Sequence, residues 1–179
     1  FYIFFEAVLI PMYLLIGIWG LRHRKIHAAY QFFLYTFAGS LFMLISILYL
    51  KITFGTYLMD HLRFFSNFLS LWEYKLIWLS FFLGFAVKTP IIPFHIWLPE
   101  AHVEAPTAGS VILAGLLLKY GTYGFYKVLL FLFFNGFAFF SNLTITLSLI
   151  SIIYGSIITY IQVDFKKIIA YSSISHMGY

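Results

Sequence analysis

The chain has 179 residues, 63% of them hydrophobic and 9% charged, with a net charge of +5 and a mean hydropathy of +0.95. A soluble domain carries about 25% charged residues, so there is too little polar surface here to coat a globule in water. Basic residues sit at the ends of apolar runs instead of forming a stripe, which argues against a nucleic-acid partner, and without cysteine the chain supplies no disulfide, iron–sulfur cluster or thiolate metal site.

The apolar runs match the roughly 20 helical residues that cross a hydrocarbon core about 30 Å thick. They are too numerous for a signal peptide and do not alternate as barrel strands do. The predicted fold is all-α, a polytopic transmembrane helix bundle with one proline-broken helix, forming a single membrane domain over residues 1–179 in contact with lipid. The many Phe (23) and Tyr (14) residues have AT-rich codons, a compositional pointer to an organellar genome.

In chain order, the first span covers about residues 1–20 and contains Glu6 and Pro11. A basic loop follows at 21–27. The second span, 31–51, carries Gly39-Ser40, where a neighbouring helix can approach. Residues 53–71 read as a mixed, more polar loop with Asp60, His61 and Arg63. The third span, 72–106, is broken at 89–93 by Pro90 and Pro93. Spans at 107–134 and 137–162 follow, and a basic joint at 163–167 leads into a sixth, 165–179, that is cut off. Phe1 and Tyr179 both lie inside apolar runs, so an internal piece of a longer protein, or one product of a split gene, is expected. Four crossings separate the two basic segments, which puts them on one side, the cytoplasmic or matrix side by the positive-inside rule.

Ionisable groups inside the spans are the functional candidates. A cation at mid-bilayer costs about 2.5–3.5 kcal/mol on insertion scales. Lys88 ends a long apolar run beside the prolines, which cannot donate to the carbonyls of Ala86 and Thr89. Those freed carbonyls would carry partial negative charge and favour an ammonium, as at the broken helices of transporters. The alternative is a proline kink that shapes packing, with Lys88 snorkelling to the interface. Lys119 lies about 18 Å into the fourth span by helical rise, and Gly115, Gly121 and Gly124 let other helices approach around it. Held between desolvation and a nearby carboxylate, such a lysine can load and release a proton; the alternative is a fixed structural ion pair. Glu6 is the one acid within the apolar body of a span, and functional and structural readings of it stand equal. His176, among Ser172, Ser173 and Ser175, could pass protons along a hydroxyl and water chain, or serve only in packing. His95, Glu100, His102 and Glu104 lack a paired metal-ligand spacing and Pro99 should interrupt any helix aligning them, so no metal is expected and a polar connection at the membrane surface is. No phosphate loop, nucleophile elbow or dinucleotide fingerprint is present, so any redox chemistry lies elsewhere.

The run FAVKTPIIPFHIWLPEAHVEAPTAGS at 85–110, with LLLKYGTYG at 116–124 and KKIIAYSSISHMG at 166–178, closely resembles the subunit 4 family of mitochondrial respiratory complex I, the NADH:ubiquinone oxidoreductase. That family is antiporter-like and proton-translocating, and is related to subunits of Mrp-type cation/proton antiporters. Only 53–71 and about 135–146 fall outside the likeness. The resemblance implies that Glu6 and Lys88 form an ion pair. Lys119 and His176 would lie on a central hydrophilic axis, with Pro90 and Pro93 structural at the helix break. It implies no cofactor in this chain, since NADH, FMN, iron–sulfur clusters and ubiquinone are handled by partner subunits. The implied partners are other membrane-arm subunits, together with a separate polypeptide for the missing helices if the gene is split. The second broken helix of the family would fall beyond residue 179. The implied location is the mitochondrial inner membrane, with 21–27 and 163–167 facing the matrix. The competing functions are a cation/proton antiporter subunit without a redox partner and a structural membrane subunit that does not pump.

Overall fold

The structure is a computed structural model that describes residues 1–21 and 23–179, except the side chain of Phe137. Arg22, one of the residues of the expected basic loop, lies outside the described residues. The described residues form helices and connecting turns without a strand.

The chain enters through α1 (Tyr2–Ala7) and α2 (Leu9–Trp19), interrupted at Val8. Pro11 explains the interruption: it has no N–H for the Ala7 carbonyl, and its ring crowds that oxygen. Next comes α3 (Lys25–Phe54), 30 residues long and closed by Gly55 in the left-handed region at φ 71°, where a side chain would be strained. The expected loop 53–71 is more ordered than its composition suggests, since it contains α4 (Met59–Phe65) and a 3₁₀ turn at Ser66–Phe68. At the start of α5 (Leu71–Lys88), Ser70 and Glu73 form a reciprocal capping box. Then follow α6 (Trp97–Glu104), α7 (Thr107–Ile112), α8 (Leu118–Gly124), α9 (Phe134–Ile161) and α10 (Phe165–Gly178). Two π-helical segments, Leu113–Leu117 and Phe125–Leu130, flank α8. Among the described residues, three helical stretches are long and apolar enough to cross a membrane by length and composition, Tyr2–Trp19, Lys25–Phe54 and Ala138–Ile161.

Pro99 does not interrupt a helix, contrary to the sequence expectation. It is the third residue of α6, where the N–H it lacks would have had no intrahelical partner. His102 and Glu104 therefore lie on a continuous helix. They are also buried, at 4% and 5% exposure, as is His95 at 8%, so these three side chains pack inside the bundle.

Small residues set the helix spacing. A Cβ on Gly39 would lie 3.0 Å from Val87, and one on Gly84 would lie 3.2 Å from the Gly39 carbonyl, so α3 and α5 meet at backbone distance where the sequence placed an approach. On α8, a Cβ at Gly121 would lie 2.5 Å from Thr89 Cγ2, and one at Gly124 would lie 2.3 Å from the Phe85 ring. Gly115, expected to act in the same way, has nothing within 4 Å. Two apolar cores result. One gathers Met43, Trp78, Phe81, Phe85 and Phe133; the other gathers Met12, Phe32, Trp97, Leu98 and Leu113. The break after Lys88 joins them, with Phe85 and Ala86 before it in the first core and Trp97 and Leu98 after it in the second.

The two basic segments converge on one end of the bundle. Leu21 N–H donates to the Glu104 carbonyl (3.0 Å), and Lys166 Nζ donates to the carbonyls of Val103 (3.3 Å) and Ala105 (2.8 Å). At the other end, Ser66 Oγ donates to the Leu132 carbonyl (3.1 Å), and Gly136 N–H donates to Tyr74 Oη (3.0 Å). Replacing Gly124 by Leu should lower the melting temperature of the purified protein by the equivalent of about 1–3 kcal/mol or more, because the Phe85 ring occupies the added volume. Gly115→Ala, facing open space, should shift stability by less than about 0.5 kcal/mol in the same thermal melt.

Candidate functional site

Helix α5 stops at Lys88 because Pro90 and Pro93 supply no amide hydrogens. The Ala86 carbonyl does not stay open to hold the ammonium, as the sequence suggested, and the adjoining Val87 carbonyl is also met. Ile91 N–H reaches back to the Ala86 carbonyl (3.0 Å), and the Trp97 indole Nε1–H donates to the Val87 carbonyl (2.9 Å). The Phe85 carbonyl accepts from both Thr89 N–H and Thr89 Oγ1, each at 2.8 Å. Ile92 N–H donates to Ser151 Oγ (3.2 Å), which ties the break to α9.

Lys88 is 1% exposed and does not snorkel. Its Nζ turns across to α1, 3.4 Å from the Phe5 carbonyl and 4.6 Å from the centre of the Phe5 ring. A hydrogen bond from a charged donor contributes about 1.5–3 kcal/mol, and a desolvated cation–π contact about 2. The bond here is long, so its share falls at the lower end. Together the two contacts offset an insertion cost of about 2.5–3.5 kcal/mol, with little to spare.

Glu6 completes the cluster without closing an ion pair. Its carboxyl interacts electrostatically with Lys88, and Ser40 and Tyr2 lie beside it. The two charged groups do not come within the 4.0 Å of a salt bridge, and Glu6 Oε1 is buried without a hydrogen-bond partner. The resemblance implied a pair; the structure holds the two groups near one another with a gap between them.

Lys119 lies apart from this cluster. It is exposed, and its side chain makes no polar contact among the described residues. Gly121, two positions on, presses against the Lys88–Thr89 backbone; two positions are about 200° of helical turn, which directs Lys119 to the opposite face. The π segments on either side insert extra residues into the helix, a feature often found at functional positions. His176 is exposed as well, its ring 6.3 Å from that of Tyr179. The serine chain expected beside it is not assembled: Ser172, Ser173 and Ser175 each donate to the carbonyl three residues back. The structure therefore brings Glu6 and Lys88 together and leaves Lys119 and His176 on separate open faces.

A cavity of about 410 Å³ opens at the end where the basic segments meet, with His95, Glu100, Glu104, Arg24 and Lys167 among its walls. His95 Nδ1 and Glu104 Oε2 are buried there without hydrogen-bond partners, and Glu100 lies 3.3 Å from His27. Sequence reasoning missed Trp97, which seals the break, and Ser40, which adjoins Glu6. Neither could be read locally, because each acts on residues ten or more positions away.

The whole chain, residues 1–179, matches the family described as NADH:quinone oxidoreductase/Mrp antiporter, TM. It is 58% identical to the NADH-ubiquinone oxidoreductase chain 4 of Chondrus crispus and 56% identical to that of Marchantia polymorpha. In both cases all of this chain is covered and 36% of the relative, so the chain spans about a third of the length of these curated relatives. Among solved structures, a chain of respiratory complex I from Thermus thermophilus with bound NADH superposes with a TM-score of 0.89 at 37% identity, covering 99% of this chain and 38% of that one.

The indole bond predicts a specific consequence. Trp97→Phe keeps the ring but leaves the buried Val87 carbonyl unpaired, and should destabilise the bundle by about 1–3 kcal/mol in thermal or denaturant unfolding.

Proposed function

Because the chain belongs to the NADH:quinone oxidoreductase/Mrp antiporter transmembrane family, we propose that it forms part of a core membrane-arm subunit of NADH:ubiquinone oxidoreductase, complex I, in the mitochondrial inner membrane. In this reading it contributes part of a proton path coupled to quinone reduction elsewhere in the complex. The observation that carries the proposal is Lys88, a cation 1% exposed at a helix break and within electrostatic reach of Glu6. The names of the curated relatives support the same assignment. Other membrane-arm subunits are its partners. NADH, FMN, iron–sulfur clusters and ubiquinone belong to other chains of the assembly; this one offers no cysteine for a cluster.

Glu6 and Lys88 act as the movable element. Closing the gap between them stabilises both charges, and opening it makes a buried ammonium a proton donor. Lys119 carries the proton onward from the open face of α8, and His176 continues the route along α10. Each of the stretches 1–20, 31–51, 72–106, 107–134 and 137–162 crosses the bilayer once, and 165–179 begins a sixth crossing. The end bearing Arg24, Lys25, Lys166 and Lys167 faces the matrix, a placement supported by the further Arg22 in that segment of sequence. The opposite end carries Lys51, Arg63, Lys75 and Lys127, so the bias rests on a single residue.

The family description equally names Mrp antiporters, and a cation/proton antiporter without a redox partner is the second reading. Copurification of the chain with NADH-oxidising activity that quinone-site inhibitors block supports the first reading, and its absence supports the second. Lys119→Met should abolish coupled proton translocation in vesicles while native gels still show an assembled complex; unchanged pumping in that assembled variant refutes the role. Lys88→Met and Glu6→Gln should each impair pumping, with the double variant no worse than the more severe single one, because the two residues act as one element. Accessibility tags in 21–27 and 163–167 should both report the matrix side, and opposite sides would overturn the crossing scheme.

A further inference from the structure

The end of the bundle away from the basic loops treats its cations in an unusual way. Lys75 Nζ lies 4.0 Å from the centre of the Phe139 ring and 5.4 Å from that of Trp72. Arg63 and Lys127 sit 4.5 Å and 4.9 Å from the Phe131 ring. None of the three has a carboxylate within 4.0 Å among the described residues. The nearby acid Glu73 is already engaged by Ser70 and Tyr49. Ring faces hold these ammonium and guanidinium groups in place without neutralising them.

Between Lys75 and Arg63 runs a crevice. Its larger part, about 390 Å³, is lined by Lys75, Asn67, Asn135, Leu71 and Phe139 among others; the smaller, about 90 Å³, shares Asn67 and Asn135 and ends at Arg63. No carboxylate lines either part. The side-chain amides of Asn67 and Asn135 make no hydrogen bond among the described residues, while the Gly136 N–H in the first turn of α9 is taken by Tyr74 Oη. Cations and free amide donors favour an anion with several acceptor oxygens. The outer rim is apolar: Leu71, Trp72, Phe68 and Phe139 are 60–75% exposed, and the adjoining stretch Ala138–Ile161 is long and apolar enough to span a membrane. Aromatic side chains at the end of a spanning helix mark the headgroup level of a bilayer.

We propose that this crevice between α4, α5 and the start of α9 is a binding site for an anionic phospholipid, with the headgroup phosphate between Lys75 and Arg63 and the acyl chains running along the exposed faces of α5 and α9. A phosphate seated there meets two cations and two amides and no competing carboxylate. A free phosphate would use the same polar groups but leave the apolar rim uncovered, so the rim assigns the site to a lipid.

The test uses the assembled membrane complex with a photo-crosslinking benzophenone amino acid in place of Leu71. The complex is reconstituted in vesicles of phosphatidylcholine alone or mixed equally with phosphatidylglycerol, and the adducts are read by mass spectrometry. In the mixture, adducts enriched in phosphatidylglycerol are expected. Lys75→Gln should cut the enrichment about fivefold, the equivalent of about 1 kcal/mol for one basic residue near an anionic headgroup. Lys51→Gln, at the same end but outside the crevice, should leave it unchanged, and Asn67→Leu should lower it with every charge intact. Equal labelling by the two lipids overturns the proposal, as does enrichment that survives in the Lys75→Gln/Arg63→Gln double variant. A protein adduct in place of a lipid one also overturns it. Loss of lipid labelling on adding inorganic phosphate reassigns the crevice to a free anion and rejects the lipid.

Discussion

Placing the Lys88 ammonium beyond the reach of water is the constraint around which the rest of the bundle is arranged. At 1% exposure the charge cannot be hydrated at the surface, and its compensation comes from one long hydrogen bond, one ring face and the field of a carboxyl that does not touch it. Those contributions roughly match the cost of bringing the charge inside. A site balanced in this way responds strongly to small changes in the position of Glu6. A closed, hydrogen-bonded ion pair would be deeper in energy and correspondingly harder to move.

The same balance depends on a backbone that has been made safe. Two prolines remove hydrogen-bond donors from a helix interior, and each carbonyl left behind in an apolar medium costs free energy unless it finds another donor. Ile91 answers for Ala86 and Trp97 for Val87, while Ser151 receives the Ile92 N–H from the far side. With those carbonyls occupied, the ammonium turns to α1, where Pro11 has interrupted the helix at Val8, just beyond Phe5. Three prolines thus shape the neighbourhood of one charge. Gly121 and Gly124 then allow α8 to seat directly against the break, so motion at Lys88–Thr89 and motion of α8 share a contact.

The two ends of the bundle solve the placement of charge differently. At one, the Leu21 amide and Lys166 tie the end of α6 to the segment before α3 and to the first turn of α10, around a polar cavity. At the other, cations rest on aromatic rings without carboxylates among the described residues, above an apolar rim. An equal number of described Lys and Arg residues at the two ends therefore does not mean equal chemistry, because Lys25 and Lys166 donate to backbone carbonyls at one end while all four cations at the other lie over π faces.

Much of this was legible in the sequence. The apolar composition required a membrane, the Lys–Thr–Pro and Pro–Phe–His pattern required a broken helix, and the Gly39 approach followed from the absence of a side chain; these are local consequences of hydropathy, proline and glycine, which act wherever they stand. The tertiary structure alone decided how each charge is met. That Lys88 turns to Phe5, that Glu6 stops short of it and that Lys119 points the other way from Gly121 depend on contacts between residues far apart in the chain. The same holds for Trp97, read from sequence as one residue of a motif and found to be the donor that closes the break. Composition and spacing fix where a charge must be buried, whereas the partner that compensates it is set by helix packing, which no local pattern encodes.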